Sequence, residues 1–275
     1  MTKVKLGFST CPNDTFMFDA MVHGKIDTEG LEFDLLMADI EKLNNLARGG
    51  ELDVTKLSFF TFLQLSNDYA LLHAGSALGN GNGPLLVSKQ KIYLDEVNDL
   101  HIAIPGFHTT ANLLLSIAYP KATNKTEYLF SDIEEAVLSN EVDAGLIIHE
   151  SRFTYPDKGL KKIADMGEYW ENLTHLPIPL GGIAVKRTIS DEIKAKLNRV
   201  MHRSVVYALK NPDSPLDFVR EYAQEMSDEV MYKHIGLYVN DYSADLGEKG
   251  IKAIETLGQK ALEMKLIGSL NESLF

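Results

Sequence analysis

The sequence predicts an α/β fold in two lobes, on three observations. Short extended runs alternate with helical ones through the first two thirds of the chain. The run Ala144–Ile148 is apolar at every position, as in a parallel strand covered on both faces. A glycine-rich tract, Leu78–Pro84, interrupts the rhythm at a natural place for the chain to leave one lobe.

Taken in order, Lys3–Ser9 alternates polar and apolar residues and reads as a strand. Thr10–Asp14 is a turn, and Phe16–Val22 is helical. Leu31–Met37 is a second strand. Asp39 then caps a helix with Ile40, Leu43, Leu46 and Ala47 on one face, ended by Gly49-Gly50. His101–Ile104 is a short strand closed by Pro105-Gly106, Thr109–Ala118 is helical, and Thr126–Phe130 is a strand. Ser131-Asp132-Ile133-Glu134 has the form of a capping box and opens a helix through Leu138.

After a returning strand, Gly181–Val185, helices dominate. One follows Ser190-Asp191-Glu192, with Ile193, Leu197, Val200 and Met201 as its apolar face; another starts at Ser227-Asp228-Glu229, and a third covers Gly250–Lys265. The predicted division is a larger discontinuous lobe, residues 1–93 with 184–275, and a smaller inserted lobe, residues 94–183. Ligands in open α/β sheets bind beyond the carboxyl ends of the strands, so the expected site is the cleft between the lobes.

Composition narrows the function. The chain has 275 residues, with 27 Lys plus Arg against 39 Asp plus Glu and a net charge of −12, which argues against a sequence-independent nucleic-acid binder. A single cysteine, Cys11, excludes an intrachain disulfide and a cysteine-based zinc or iron–sulfur site. The 8 histidines include no H-x-x-x-H pair, so no metal is expected. No apolar run approaches the roughly 20 residues needed to cross a bilayer, and no signal-peptide core is evident. The expectation is a cytoplasmic protein without membrane insertion; its oligomeric state stays open.

Four segments carry candidate chemistry. His149, directly after the apolar strand, reads either as a general base facing the crevice or as a hydrogen-bonded loop histidine. The neighbouring Glu150 points away from it on an extended chain and is not expected to orient the ring. Pro105-Gly106-Phe107-His108-Thr109-Thr110 forms a strand-to-helix turn whose amides and two hydroxyls suit a carboxylate, with a plain threonine cap as the alternative. Thr55-Lys56-Leu57-Ser58 offers the same device with an ammonium group. Cys11-Pro12-Asn13-Asp14-Thr15 could hold a thiol nucleophile or a carboxylate at a helix start, with Asp14 as a simple cap the blander reading.

Other readings fail on spacing. No nucleophile elbow accompanies a Ser-His-Asp order. Gly79-x-Gly81-x-Gly83 matches neither a dinucleotide fingerprint nor a phosphate-binding loop. Trp170 and Tyr169 are expected in the core, with the cleft wall as the alternative.

Together these motifs resemble a known family. Phe8-Ser9-x-Cys11-Pro12-Asn13-Asp14-Thr15-Phe16, Thr55-Lys56-Leu57-Ser58, Gly106-x-His108-Thr109-Thr110 and Gly145 to Tyr155 occur in the order found in the 1,4-dihydroxy-6-naphthoate synthase family of the futalosine route to menaquinone. The resemblance extends through Leu176-Pro177-x-Pro179-Leu180-Gly181 and Ser227-Asp228-Glu229-Val230 to His234, Tyr238, Val239 and Asn240. One small departure is Ser9-Thr10-Cys11, where the family commonly has Ser-Pro-Cys.

The resemblance implies a two-lobed fold like the type II periplasmic binding proteins, with a central ligand cleft used for catalysis. It also implies cleavage of cyclic dehypoxanthinyl futalosine, a small-molecule substrate carrying a carboxylate, to 1,4-dihydroxy-6-naphthoate and dihydroxyacetone, without a cofactor. His149 matches the family's proton acceptor. Lys56, Leu57, Ser58, Thr109 and Thr110 match its substrate-binding positions, and we add Asn13 and Asp14 to the same site. With Ser151, these last two are also the candidates for orienting the imidazole. Two alternatives are a chorismate dehydratase of the same pathway and fold, which disagrees with Ile148-His149-Glu150-Ser151-Arg152, and a solute-binding protein without chemistry.

Overall fold

A computed structural model describes residues 2–149, 151–223 and 227–275. The chain opens with β1 (Thr2–Phe8), α1 (Pro12–Val22), β2 (Leu31–Met37), α2 (Ile40–Arg48), β3 (Val54–Ser58), α3 (Phe59–Gln64), β4 (Tyr69–Leu71) and β5 (Ala77–Gly79). It then crosses to β6 (Leu85–Ser88), β7 (Ile102–Ile104), α4 (Thr110–Ala118), β8 (Lys125–Glu127), α5 (Ile133–Leu138), β9 (Ala144–Ile147), α6 (Ser151–Thr154) and β10 (Lys161–Asp165). After α7 (Met166–Thr174) it returns through β11 (Ile178–Lys186), followed by α8 (Asp191–Lys210), α9 (Leu216–Tyr222), α10 (Asp228–Tyr238), α11 (Asp241–Ala244) and α12 (Gly247–Glu263).

The strands form two sheets. The first has the order β2-β1-β3-β11-β4, with β5 also paired to β11; the second runs β10-β6-β9-β7-β8. The chain therefore crosses between sheets twice, from Gly79 to Leu85 and from Asp165 to Ile178. These crossings fall earlier than the expected bounds of the inserted lobe at residues 94 and 183, because β6 joins the second sheet and the amino half of β11 already pairs with β5 in the first. The first crossing is the glycine-rich tract.

Period-two patterning explains how the second sheet is covered. In β6, Leu85 and Val87 face a cluster with Ile133 and Val137 of α5, while Leu86 faces Leu113, Leu114 and Trp170 on the opposite side. Trp170 is fully buried and its indole N–H donates to the Pro177 carbonyl at 3.0 Å, so it belongs to the core. One face of the first sheet packs Val4, Leu6 and Phe8 against Phe16, Met17, Leu197, Val200 and Met201. The other apolar cluster is continuous across the lobes, joining Phe59, Phe62 and Leu257 to Leu113 and Trp170.

Several local expectations need correction. Helix α1 begins at Pro12, not Phe16, because proline suits a first helical position where its missing N–H is no loss. The Ser131–Glu134 capping box does not form: Ser131 donates to the adjacent Asp132, while Glu134 is drawn to Ser151 and Lys158. Strand β8 stops at Glu127, and Phe130–Asp132 is a 3-10 turn. Strand β9 is buried throughout, but it is parallel only to β7 and antiparallel to β6. No described helix is long and apolar enough to cross a membrane.

Candidate active site

The amino end of α1 is the first component. Cys11 takes the N-cap position without a side-chain cap, leaving Asp14 in the first helical turn, where its negative charge suits the helix dipole. Asp14 Oδ2 accepts from the Ser9 N–H at 3.1 Å and from the Ser9 hydroxyl at 2.7 Å, while Oδ1 accepts from Asn13 Nδ2 at 2.8 Å. Lys56 Nζ lies 3.1 Å from Asp14 Oδ1. Both partners are buried, at 1% and 5% exposure. Asp14 is thus an ion-paired hub and not a cap, and Lys56 is not a free ammonium.

Lys56 also corrects a local expectation. Thr55–Ser58 is no helix start but the last part of a fully buried strand, β3, whose register pairs Leu57 with Gly182 and Lys56 with Ile183. Alternation sends the Lys56 side chain toward the cleft and Leu57 into the core, where it is fully buried. Ser58, at the strand end, donates its N–H to Asn44 Oδ1 at 3.1 Å and accepts from Asn44 Nδ2 at 3.2 Å.

The second component is the amino end of α4. Thr109 caps it, its hydroxyl accepting from the Asn112 N–H at 3.3 Å and donating to the Gly106 carbonyl at 2.8 Å. The Thr110 hydroxyl donates across the lobe boundary to the Leu180 carbonyl at 2.6 Å and accepts from the Phe60 N–H at 3.3 Å. Both hydroxyls are therefore engaged in holding the helix and the lobes. The amides of Thr110 and Ala111 lie in the first turn, where a helix offers no acceptor of its own and where anions are commonly received.

His149 forms the third component. It follows β9 and the link residue Ile148, with a backbone φ of 57°, a left-handed conformation uncommon outside glycine. Its ring meets Phe130 edge-on at 5.1 Å and lies nearly parallel to His234 at 5.9 Å. Cys11 Sγ is 3.6 Å from Nδ1 and 3.7 Å from Nε2. The described bonds of the three orienting candidates run elsewhere: Ser151 donates to Glu134, Asp14 holds Ser9 and Lys56, and Asn13 meets His234. Glu150 lies outside the described residues.

Sequence reasoning gives His234 no role beyond the resemblance, yet it underlies the site. It is fully buried on α10, and its Nε2 is 3.1 Å from Asn13 Oδ1. Burial, reinforced by the nearby His149, pushes its pKa well below the usual histidine range, so the ring is neutral. Asn13 Oδ1 is an acceptor, which puts the proton of His234 on Nε2. Among the described residues the buried Nδ1 has no hydrogen-bond partner. The spacing from Asn13 to His234 spans the chain, and no local pattern could have paired them.

These parts line one cleft between the lobes. Lys56, Ser58, Asn13 and Asp14 line it from the first lobe, and Thr109, Thr110 and His149 from the second. Leu57 alone of the expected residues does not. Ser9, Asn82 and Tyr238 are lining residues that the sequence does not single out as a site. Among the described residues no group of three His, Cys, Asp or Glu side chains is placed to hold a metal ion.

A family model described as menaquinone biosynthesis matches residues 4–263. The chain is 44% identical over 261 residues to a protein of Thermus thermophilus named 1,4-dihydroxy-6-naphtoate synthase, covering 95% of this chain and 94% of the relative. It is 40% identical over 272 residues to a protein of the same name from Streptomyces coelicolor, covering 97% and 95%. Among solved structures, protein AF1704 from Archaeoglobus fulgidus matches with a TM-score of 0.91 at 38% identity, covering 96% of this chain and 98% of that one. The alkanesulfonate-binding protein SsuA from Xanthomonas axonopodis pv. citri matches with a TM-score of 0.73 at 12% identity over 98% and 95% of the chains. That distant likeness concerns the fold, which is the two-lobed type II periplasmic-binding-protein architecture.

Proposed function

The chain belongs to the menaquinone-biosynthesis family of 1,4-dihydroxy-6-naphthoate synthases, and from that premise we propose that it is a carbon–carbon lyase with His149 as general base. Its substrate is cyclic dehypoxanthinyl futalosine, and its products are 1,4-dihydroxy-6-naphthoate and dihydroxyacetone. One observation carries this reading. His149 lines the same cleft as the first turn of α4 and the Lys56–Asp14 pair.

The chemistry follows from the charges. Lys56 and Asp14 offset each other, so the amino end of α4 is the unbalanced positive element, and it anchors the substrate carboxylate. Pre-aimed amides of this kind also stabilise negative charge as it develops on oxygen. His149 takes a proton from the substrate, the electron pair released breaks the carbon–carbon bond, and the three-carbon fragment that leaves with the bonding pair takes that proton back to become dihydroxyacetone. Aromatisation of the second ring drives the step. A positioned base of this kind contributes about 10²–10⁴-fold.

Product analysis tests the proposal. Purified protein is incubated with cyclic dehypoxanthinyl futalosine, and naphthoate and dihydroxyacetone are followed by mass spectrometry, with His149→Ala alongside. Both products from wild type, and a loss of about 10²-fold or more in the variant, are expected. Binding without turnover by wild type, or full turnover by His149→Ala, would sink the reading.

A further inference from the structure

We propose that Arg152 is a positioning residue that ties the His149 turn to both chain crossings between the lobes, so that the place of the imidazole depends on how those crossings are held. The proposal rests on His149 being the base. The two crossings run against each other. The Met166 N–H, at the start of the second, donates to the Pro84 carbonyl of the first at 2.9 Å. Gly83 and Gly167 meet backbone to backbone, and a Cβ on Gly83 would run into the Gly167 nitrogen.

Arg152 lies three residues beyond His149, on α6, and reaches this junction with both arms of its guanidinium. Nη1 donates to the Gly83 carbonyl in the first crossing. Nη2 donates to Asp165 Oδ2, at the start of the second, at 3.0 Å. The other oxygen of Asp165 accepts from the Gly167 and Glu168 amides at 2.7 and 3.2 Å, capping α7. The planar guanidinium presents its two arms as fixed, separate donors, one to each acceptor, where a lysine would bring a single ammonium nitrogen.

The neighbouring tie is of a different kind. Ser151 donates to the buried Glu134 at 3.0 Å, and Glu134 pairs with Lys158 at 2.7 Å; all three lie within the second lobe. The Arg152 tie instead reaches out of that lobe to the first crossing. His149 meanwhile meets Cys11 and His234, both from the first lobe, while its backbone holds a left-handed φ that needs restraint from its surroundings. Arg152 supplies that restraint from the boundary the imidazole reaches across.

The single cysteine gives a readout that needs no substrate. In Arg152→Met, the rate of Cys11 alkylation by iodoacetamide should shift to that of His149→Ala, and the double variant should match either single one. Turnover should fall about 100-fold with little change in KM, the penalty of an ångström-scale misplacement. Arg152→Lys should fall between, and added guanidinium should restore part of the activity of Arg152→Ala. A folded Arg152→Met that alkylates at the wild-type rate overturns the proposal whether or not the substrate is correct. If Arg152→Met does not fold, an Arg152→Lys protein with wild-type alkylation and turnover overturns it equally. The expected alkylation pattern in a wild type inactive on the substrate would leave the tie standing and sink the assigned reaction.

Discussion

The rings of His149 and His234 lie 5.9 Å apart and only 16° from parallel, one at the cleft wall and the other fully buried behind it. Two imidazoles so placed cannot both carry a proton cheaply, and the buried one stays neutral. In the unfolded chain His234 regains an ordinary affinity for protons. Below pH of about 6.5 the unfolded state therefore binds more protons than the folded state, and stability falls as the pH drops, by up to about 1.4 kcal/mol per unit from this group. His234→Gln should flatten that dependence. Melting temperatures of both proteins between pH 7.5 and 5 check it, and an equally acid-sensitive variant would assign the effect elsewhere.

Removing one partner of the Lys56–Asp14 pair should cost more than removing the charge of both. Lys56→Met leaves a carboxylate buried with only Ser9 and Asn13 as donors, at a cost of about 3 kcal/mol. Lys56→Met with Asp14→Asn should recover most of that loss. Urea denaturation of the two variants gives the comparison, and equal destabilisation would argue against a coupled pair.

Glu41 on α2 is buried at 8% exposure, and burial raises its pKa despite a hydrogen bond from Asn44 at 3.0 Å. The folded state therefore holds this proton more tightly than the unfolded state, and stability is lost as pH rises from about 4.5 through the folded value. Glu41→Gln should stabilise the protein at pH 7 and do so less at pH 4.5. Denaturant midpoints at the two pH values test the sign.

The glycines of the chain should separate cleanly by surroundings. Gly83→Ala drives a methyl group into the Gly167 backbone and should destabilise by about 1–3 kcal/mol. Gly236, within α10, has nothing near the position of an added Cβ, and Gly236→Ala should stabilise by about 0.5–1 kcal/mol. Chemical denaturation of both measures the contrast.

The α/β class and most site segments are legible in the sequence because they rest on short-range signals. Leu31–Met37 alternates, and Asp39 is followed by a face of apolar residues; β2 and the Asp39 cap, which accepts from the Lys42 N–H at 3.0 Å, match those signals. The motif assigns Leu57 to the cleft, whereas strand alternation buries it. The three-residue strands β4 and β5 carry too few residues for a period to emerge. Contacts such as Asn13 with His234, or Arg152 with Gly83, join residues far apart in the chain, and no spacing rule reaches that far.

Strand β11 lies between β3 on one side and β4 and β5 on the other. It is also made late, after every strand of the second sheet. During synthesis the second lobe can complete its sheet at Asp165 while the first still lacks a middle strand. A nascent chain paused before Ile178 would thus expose the hydrogen-bonding edge of β3, an invitation to pair with another copy. The order of translation makes the return through Ile178–Lys186 the step that closes the first sheet.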